Sequence, residues 1–236
     1  MRIALFLLAL ALTTCVFADE PTVSGVAHFW SQRLLPNGKL VYDQPVMWND
    51  VVLKWANGFY LEPEVWLGLG TDRGLHSDGN EFDLSAGWKG NVGGLKLDAG
   101  VLYGDINPVG HSNSGDFVSP YLELGYPIRA GRHTFTPFVK GELAYVEHAA
   151  GRDGSQVRFG AADAWKMNKK LTLNQKLFIL HTSHGVYGVT EGEILQWWIQ
   201  VKKGCLNYMG KISIPLDVGP TDSRAKQVEV GVGFDW

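Results

Sequence analysis

The stretch from Lys226 to Trp236 constrains the fold more than any other part of the chain. Val228, Val230, Val232, Phe234 and Trp236 share one parity, while Gln227, Glu229, Gly231, Gly233 and Asp235 share the other. Successive side chains of a β-strand point to opposite faces, so this segment carries one wholly apolar face that ends on an aromatic. A strand of a soluble sandwich can alternate in the same way, but it rarely stops there on an exposed tryptophan. The closing strand of an outer-membrane barrel does, because its end lies in the aromatic girdle at the membrane interface.

The opposite end points to the same compartment. Arg2 precedes an apolar run from Ile3 to Leu12, and Val16-Phe17-Ala18 stands before Asp19-Glu20. This pattern predicts a cleaved signal peptide over residues 1–18 and a mature domain over residues 19–236. The run is too short for a spanning helix, which needs about 20 apolar residues. Cys15 raises a lipoprotein alternative, but Thr14 fits poorly where a small residue is expected.

Between these ends the chain breaks into alternating segments of about ten residues, the spacing of barrel strands. Met47, Val51, Leu53 and Trp55 oppose Trp48, Asp50 and Lys54; Phe59, Leu61, Val65, Leu67 and Leu69 oppose Tyr60, Glu62, Glu64 and Trp66. The connections alternate in length. Short turns are predicted near Asn57, Asn91, Gly131, Asn168 and Gly204, and longer loops near Asn37, Ser77, Asn113, Gly151, Gly185 and Pro220. The expected fold is therefore all-β: a transmembrane antiparallel up-and-down β-barrel of about twelve strands, with short periplasmic turns and longer extracellular loops. A mean hydropathy of −0.05 excludes a helical membrane protein, and 29 glycines with nine tryptophans suit tight turns and interfacial aromatic belts. The net charge of −3 shows no basic excess, so nucleic acid is not an expected partner. Cys205 alone would remain after processing, which leaves no intramolecular disulfide, and it reads as a small packing residue.

Three motifs carry a family resemblance. Asn57-Gly58-Phe59-Tyr60, then Glu81-Phe82-Asp83-Leu84-Ser85-Ala86-Gly87-Trp88, then Leu97-Asp98-Ala99-Gly100-Val101-Leu102-Tyr103 resemble the TorF family of small proteobacterial outer-membrane barrels. The resemblance covers roughly the first half of the mature chain. It departs after Arg33, where Leu34 replaces the glycine usual in that family. The resemblance implies a porin-like barrel and names no substrate.

Parity assigns a strongly charged interior. Asp50, Glu62, Glu64, Glu81, Asp83, Asp98, Glu123, Glu142 and Glu229 are acidic; Lys54, Lys96, Lys140, Arg158, Lys176, Lys202 and Lys211 are basic. Each charge in a dry core would cost several kcal/mol, so the interior is expected to be wet or internally paired. A wet lumen with this acidic content predicts a mildly cation-preferring pore for small hydrophilic solutes. The inward aromatics Tyr60, Trp66, Tyr121, Phe138 and Trp198 either fill the lumen or offer stacking surface to sugars or nucleosides.

A second constellation keeps an enzymatic alternative open. His181 and Ser183 stand two apart on one strand and share a face, as a base and a hydroxyl nucleophile require. Parity puts Glu193 of the next strand on that face, where it would orient the imidazole. The His-x-Ser pair resembles the motif of outer-membrane phospholipase A and the lipid A deacylases, although His184 stands where an Asn commonly follows the serine. This alternative is an outer-membrane lipid hydrolase. A further alternative is a structural surface barrel with a plugged lumen. His28, His76, His111, His133 and His148 are scattered and read as solvated. No metal cluster or cofactor motif is found. The expected partners are outer-membrane lipids, small hydrophilic solutes and the barrel-assembly machinery, which would read the last strand and Trp236.

Overall fold

A computed structural model describes residues 20–34, 40–70, 80–106, 116–146, 153–183, 191–218 and 226–236. The expected leader and the six expected longer loops lie outside these residues, apart from the loops' flanks.

The chain forms β1 (Thr22–Trp30), β2 (Arg33–Leu34), β3 (Leu40–Tyr42), β4 (Val46–Lys54), β5 (Phe59–Gly68), β6 (Glu81–Val92), β7 (Leu95–Ile106) and β8 (Phe117–Gly125). It continues with β9 (Ile128–Ala130), β10 (His133–Val146), β11 (Gly154–Lys166), β12 (Leu171–Thr182), β13 (Gly192–Lys203), β14 (Leu206–Val218) and β15 (Gln227–Asp235). Each long strand pairs antiparallel with its neighbours in sequence, β15 returns to β1, and β10 pairs with β11, so the sheet closes. β9 continues the line of β8 along β10 beyond Tyr126-Pro127, where proline supplies no N–H to the ladder. The wall therefore has twelve strand positions, as the alternation predicted.

The exposure pattern is the reverse of a soluble core. Leu177, Val228 and Val230 are 49, 59 and 58% exposed, whereas Ser119, Gln196 and Asn207 are 0% exposed. The apolar parity faces outward and the polar parity inward, the arrangement a barrel needs in lipid. Each of the twelve wall positions pairs with a neighbour on both sides, so the closed sheet leaves no open edge to hydrocarbon.

One end of the barrel carries the tight turns. Gly58 holds φ at +94°, a region that side chains disfavour, which lets Asn57-Gly58 reverse the chain between β4 and β5. The Asn57 side chain accepts from the Phe59 N–H at 3.1 Å, and the Trp88 indole donates to the Asn57 carbonyl at 2.8 Å. Trp88, Trp165 and Trp236 lie on the outer parity near this end, an interfacial girdle. Cys205 lies exposed in the turn between β13 and β14, so it is not the packing residue expected from sequence. The turn is too tight to bury it.

Two corrections concern the start of the chain. The alternation that reads as a first strand from Val23 to Arg33 ends at Trp30, and Arg33 belongs to the small β2–β3 hairpin, paired separately from the barrel sheet. His28 is not solvated: it is 4% exposed on the inner face, with ring centroids 5.0 Å from Trp48 and 6.4 Å from Trp30. Its even parity on β1 puts it inside, a signal that the untidy alternation of this strand hides.

Candidate functional site

The inner face divides into two walls. On β4 to β7 stand Asp50, Glu62, Glu64, Glu81, Asp83 and Asp98. Asp50 is directly opposite Glu64, and Glu64 is directly opposite Asp83, so three carboxylates line one row across three strands. None of the three is in an ion pair among the described residues. Glu64 accepts from the Trp48 indole at 2.9 Å, and Trp48 stacks on Trp66 at 5.4 Å. One buried oxygen each of Asp50 and Asp83 has no hydrogen-bond partner among the described residues, a cost that only an ordered water or ion would relieve.

Nearer the turns Lys89 reaches Asp98 at 3.2 Å and Glu62 at 3.8 Å, and it lies 4.4 Å from the Tyr60 ring centroid. Sequence reading placed Lys89 in a turn, but β6 runs on to Val92 and keeps the inward odd parity through it. Tyr60 donates to Asp98 at 3.0 Å and its hydroxyl meets that of Tyr121. Lys54 and Lys96 are exposed at the turn end.

The opposite wall, β10 to β14, is basic. Lys140, Arg158, Lys176, Lys202 and Lys211 project inward there. Lys140 lies 4.2 Å from the Tyr121 ring centroid, Lys176 lies 4.2 Å from that of Phe138, and Lys211 lies 5.3 Å from that of Trp198. Such contacts hold an ammonium without neutralising it. Carboxylates are interspersed. Glu142 lies 3.4 Å from Arg158 and 3.8 Å from Lys140, Glu123 lies 3.7 Å from Lys176, and Glu229 lies 2.6 Å from Lys211. Lys202 contacts Asp235. Phe178, which the sequence reading did not single out, packs with Phe138 and Leu180 on this inner face.

Among the described residues of the strands, the buried and half-buried inward side chains include ten acids (Asp50, Glu62, Glu64, Glu81, Asp83, Asp98, Glu123, Glu142, Glu229, Asp235) and six bases (Arg33, Lys140, Arg158, Lys176, Lys202, Lys211). The surplus is negative and concentrated on β4 to β6.

Arg33 is a residue that the strand pattern could not flag. It is 4% exposed, contacts Glu81, and stands 4.8 Å from the Trp66 ring centroid. The β2–β3 hairpin thus folds inward and brings a cation to the acidic wall.

The second constellation is on the outer face. His181 is opposite Glu193 in the ladder, with Nδ1 3.8 Å from the carboxylate. The Ser183 hydroxyl accepts from the Ser155 N–H at 2.7 Å and lies 3.2 Å from the Ser155 hydroxyl. Among the described residues no hydrogen bond joins Ser183 to His181. Base and carboxylate are together; the hydroxyl is engaged elsewhere.

No protein-family model matches the sequence, and no curated protein matches it. Solved structures match its fold. The KdgM porin in complex with disordered oligogalacturonate aligns with a TM-score of 0.56 at 12% identity, over 90% of this chain and 98% of that one. The NanC porin gives 0.56 at 10% identity over 90% and 98%. LpxR from Salmonella typhimurium gives 0.52 at 8% identity over 90% and 99%. At identities this low the matches establish the fold, an outer-membrane β-barrel.

Proposed function

We propose that the chain is a porin of the Gram-negative outer membrane, passing small hydrophilic solutes through a water-filled lumen. The opposed acidic and basic walls carry this reading. A dry interior would cost several kcal/mol for each of these ions, and among the described residues Asp50, Glu64 and Asp83 are in no ion pair, with Arg33 and Lys89 acting on the row only without direct contact. Rings of charged side chains with an acidic surplus favour cations. On the basic wall Trp198 is 39% exposed, with Lys211 5.3 Å from its ring centroid, a flat apolar surface edged with charge and suited to stacking against a sugar ring. The similarity to KdgM, solved with an oligogalacturonate, agrees with a saccharide-sized path. Membership of the TorF family belongs to the same proposal and rests on the three motifs, which fall at the start of β5, on β6 and on β7.

Refolded protein in planar bilayers is expected to give discrete, ohmic current steps. A silent bilayer containing correctly folded barrel would overturn the reading.

Orientation follows from the turns. In a Cys205→Ser background, cysteines at Ser112 and Thr221 should react with a membrane-impermeant maleimide on intact cells, and cysteines at Asn91 and Asn168 should not. The reverse pattern would invert the barrel.

The His181–Glu193 pair keeps the lipid-hydrolase alternative specific enough to test. Purified protein should release no fatty acid from phospholipid or lipopolysaccharide, with or without calcium. Release that Ser183→Ala abolishes would replace the channel reading with an enzyme, since a lost nucleophile costs several orders of magnitude in rate.

A further inference from the structure

We infer that Arg33 and Leu34, in the connection from β1 to β4, form the constriction of the channel, held across the lumen by the Arg33–Glu81 ion pair on one side and by Leu34 with Glu229 on the other. The inference rests on the channel reading above and goes on to say which residues set its bore.

A connection at the rim of a barrel ordinarily lies in solvent. Here Arg33 and Leu34 are 4 and 5% exposed. Their partners belong to two separated parts of the wall. Arg33 reaches Glu81 on β6 and the Trp66 ring on β5. The Leu34 N–H donates to Glu229 on β15 at 2.7 Å, and its carbonyl accepts from Lys211 on β14 at 3.4 Å. In the sheet β14 and β15 are separated from β5 and β6 by β1 and β4. One dipeptide therefore touches both ends of an arc of six strands, which it can do only by leaving the wall and crossing the lumen as a chord.

The return limb is fixed as well. The Gly70 N–H donates to the Tyr42 hydroxyl at 2.9 Å, tying β3 to the end of β5. Gln32 lies at the rim, donating to the Val228 carbonyl at 3.2 Å. The hairpin is thus pinned by polar contacts at both limbs rather than by an apolar core. Backbone and an arginine side chain occupy volume that water would otherwise fill.

Charge and bore are coupled at this point. Arg33 is a cation brought to the acidic wall from outside it, and Asp83, Glu64 and Glu229 all act on it electrostatically. Removing the guanidinium releases the tether and uncovers carboxylates. Removing Glu81 releases the same tether and takes a carboxylate away. The two changes should widen the pore alike and shift its selectivity oppositely.

The test uses the full mature chain, refolded and checked for heat-modifiable migration. Single-channel conductance and reversal potential in asymmetric KCl are read for the wild type, Arg33→Gln and Glu81→Gln. Both variants should raise conductance by about twofold, as a wider pore requires. The reversal potential of Arg33→Gln should move toward cations and that of Glu81→Gln away from them. If the Glu81 variant does not fold, Glu229→Ala carries the test from the opposite anchor. Reversal potentials that part while conductance stays at the wild-type level would overturn it, leaving Arg33 a charge and the channel reading intact. Silence from the wild type and every folded variant would overturn both.

Discussion

Gly233→Val should abolish nearly all heat-modifiable barrel, both in refolding and in isolated outer membranes. Gly233 is opposite His28 where β15 meets β1, the seam that closes the sheet. A Cβ there would stand 1.8 Å from His28 Cδ2 and 2.7 Å from the Ala27 carbonyl oxygen. The imidazole cannot step aside cheaply, because it is buried against Trp48 and Trp30. The carbonyl cannot step aside at all without breaking the ladder. This seam pairs five residues, Val26 to Trp30, against nine on the other side of β1, so little is in reserve. An open edge in lipid leaves backbone groups unsatisfied at several kcal/mol each, and the outcome is all-or-none. Gly210→Ala is the control: its Cβ would meet nothing closer than 3.9 Å, and the yield should not change. His28→Ala should restore part of the Gly233→Val yield by removing the ring, while the Ala27 carbonyl keeps the rescue incomplete. A wild-type yield from Gly233→Val alone would mean that the seam is not built this way.

The barrel was legible because its code is local. A period of two needs only neighbouring residues, and Val228 to Trp236 or Glu81 to Trp88 state it without exception. Inward parity carried over directly to the buried Asp50, Asp83, Glu142 and Lys211 for the same reason. What stayed hidden depends on contacts far apart in sequence. Arg33 ends the first alternating segment just before Pro36-Asn37-Gly38, so it reads as the close of a strand; its destination is fixed by Glu81, 48 residues away, and that of Leu34 by Glu229, 195 residues away. His28 was misread because its strand alternates poorly, and only the closure of β15 on β1 shows which face is enclosed. The short β9 escaped notice because Pro127 breaks the pattern just before it. In the outer-face trio, parity gave the face of His181, Ser183 and Glu193 but not hydrogen-bond partners, and Ser155 holds the serine.

The selectivity of the pore should collapse when the carboxylate row is neutralised. The triple variant Asp50→Asn, Glu64→Gln, Asp83→Asn removes three of the ten buried or half-buried inward acids and leaves seven facing six bases. The cation preference in asymmetric KCl should fall to near zero, since the surplus drops from four to one. A structural role for the row would predict lost stability instead. The physics points the other way: like charges directly opposite one another repel by about 1 kcal/mol in water at 4 Å and by several times that at lower effective dielectric. None of the three carboxylates is in an ion pair among the described residues, and amides of equal size keep the hydrogen bond that Trp48 donates to residue 64. Arg33 loses the charges of Asp83 and Glu64 but keeps its ion pair with Glu81 and the charge of Glu229, so the tether should hold. The temperature of heat-modification should therefore hold or rise while the reversal potential moves. Lost stability with unchanged selectivity would show that the row faces protein rather than the ion path. Lost selectivity with retained stability would separate two jobs on one acidic wall: Glu81 fixes the constriction, and the row beside it selects the ion.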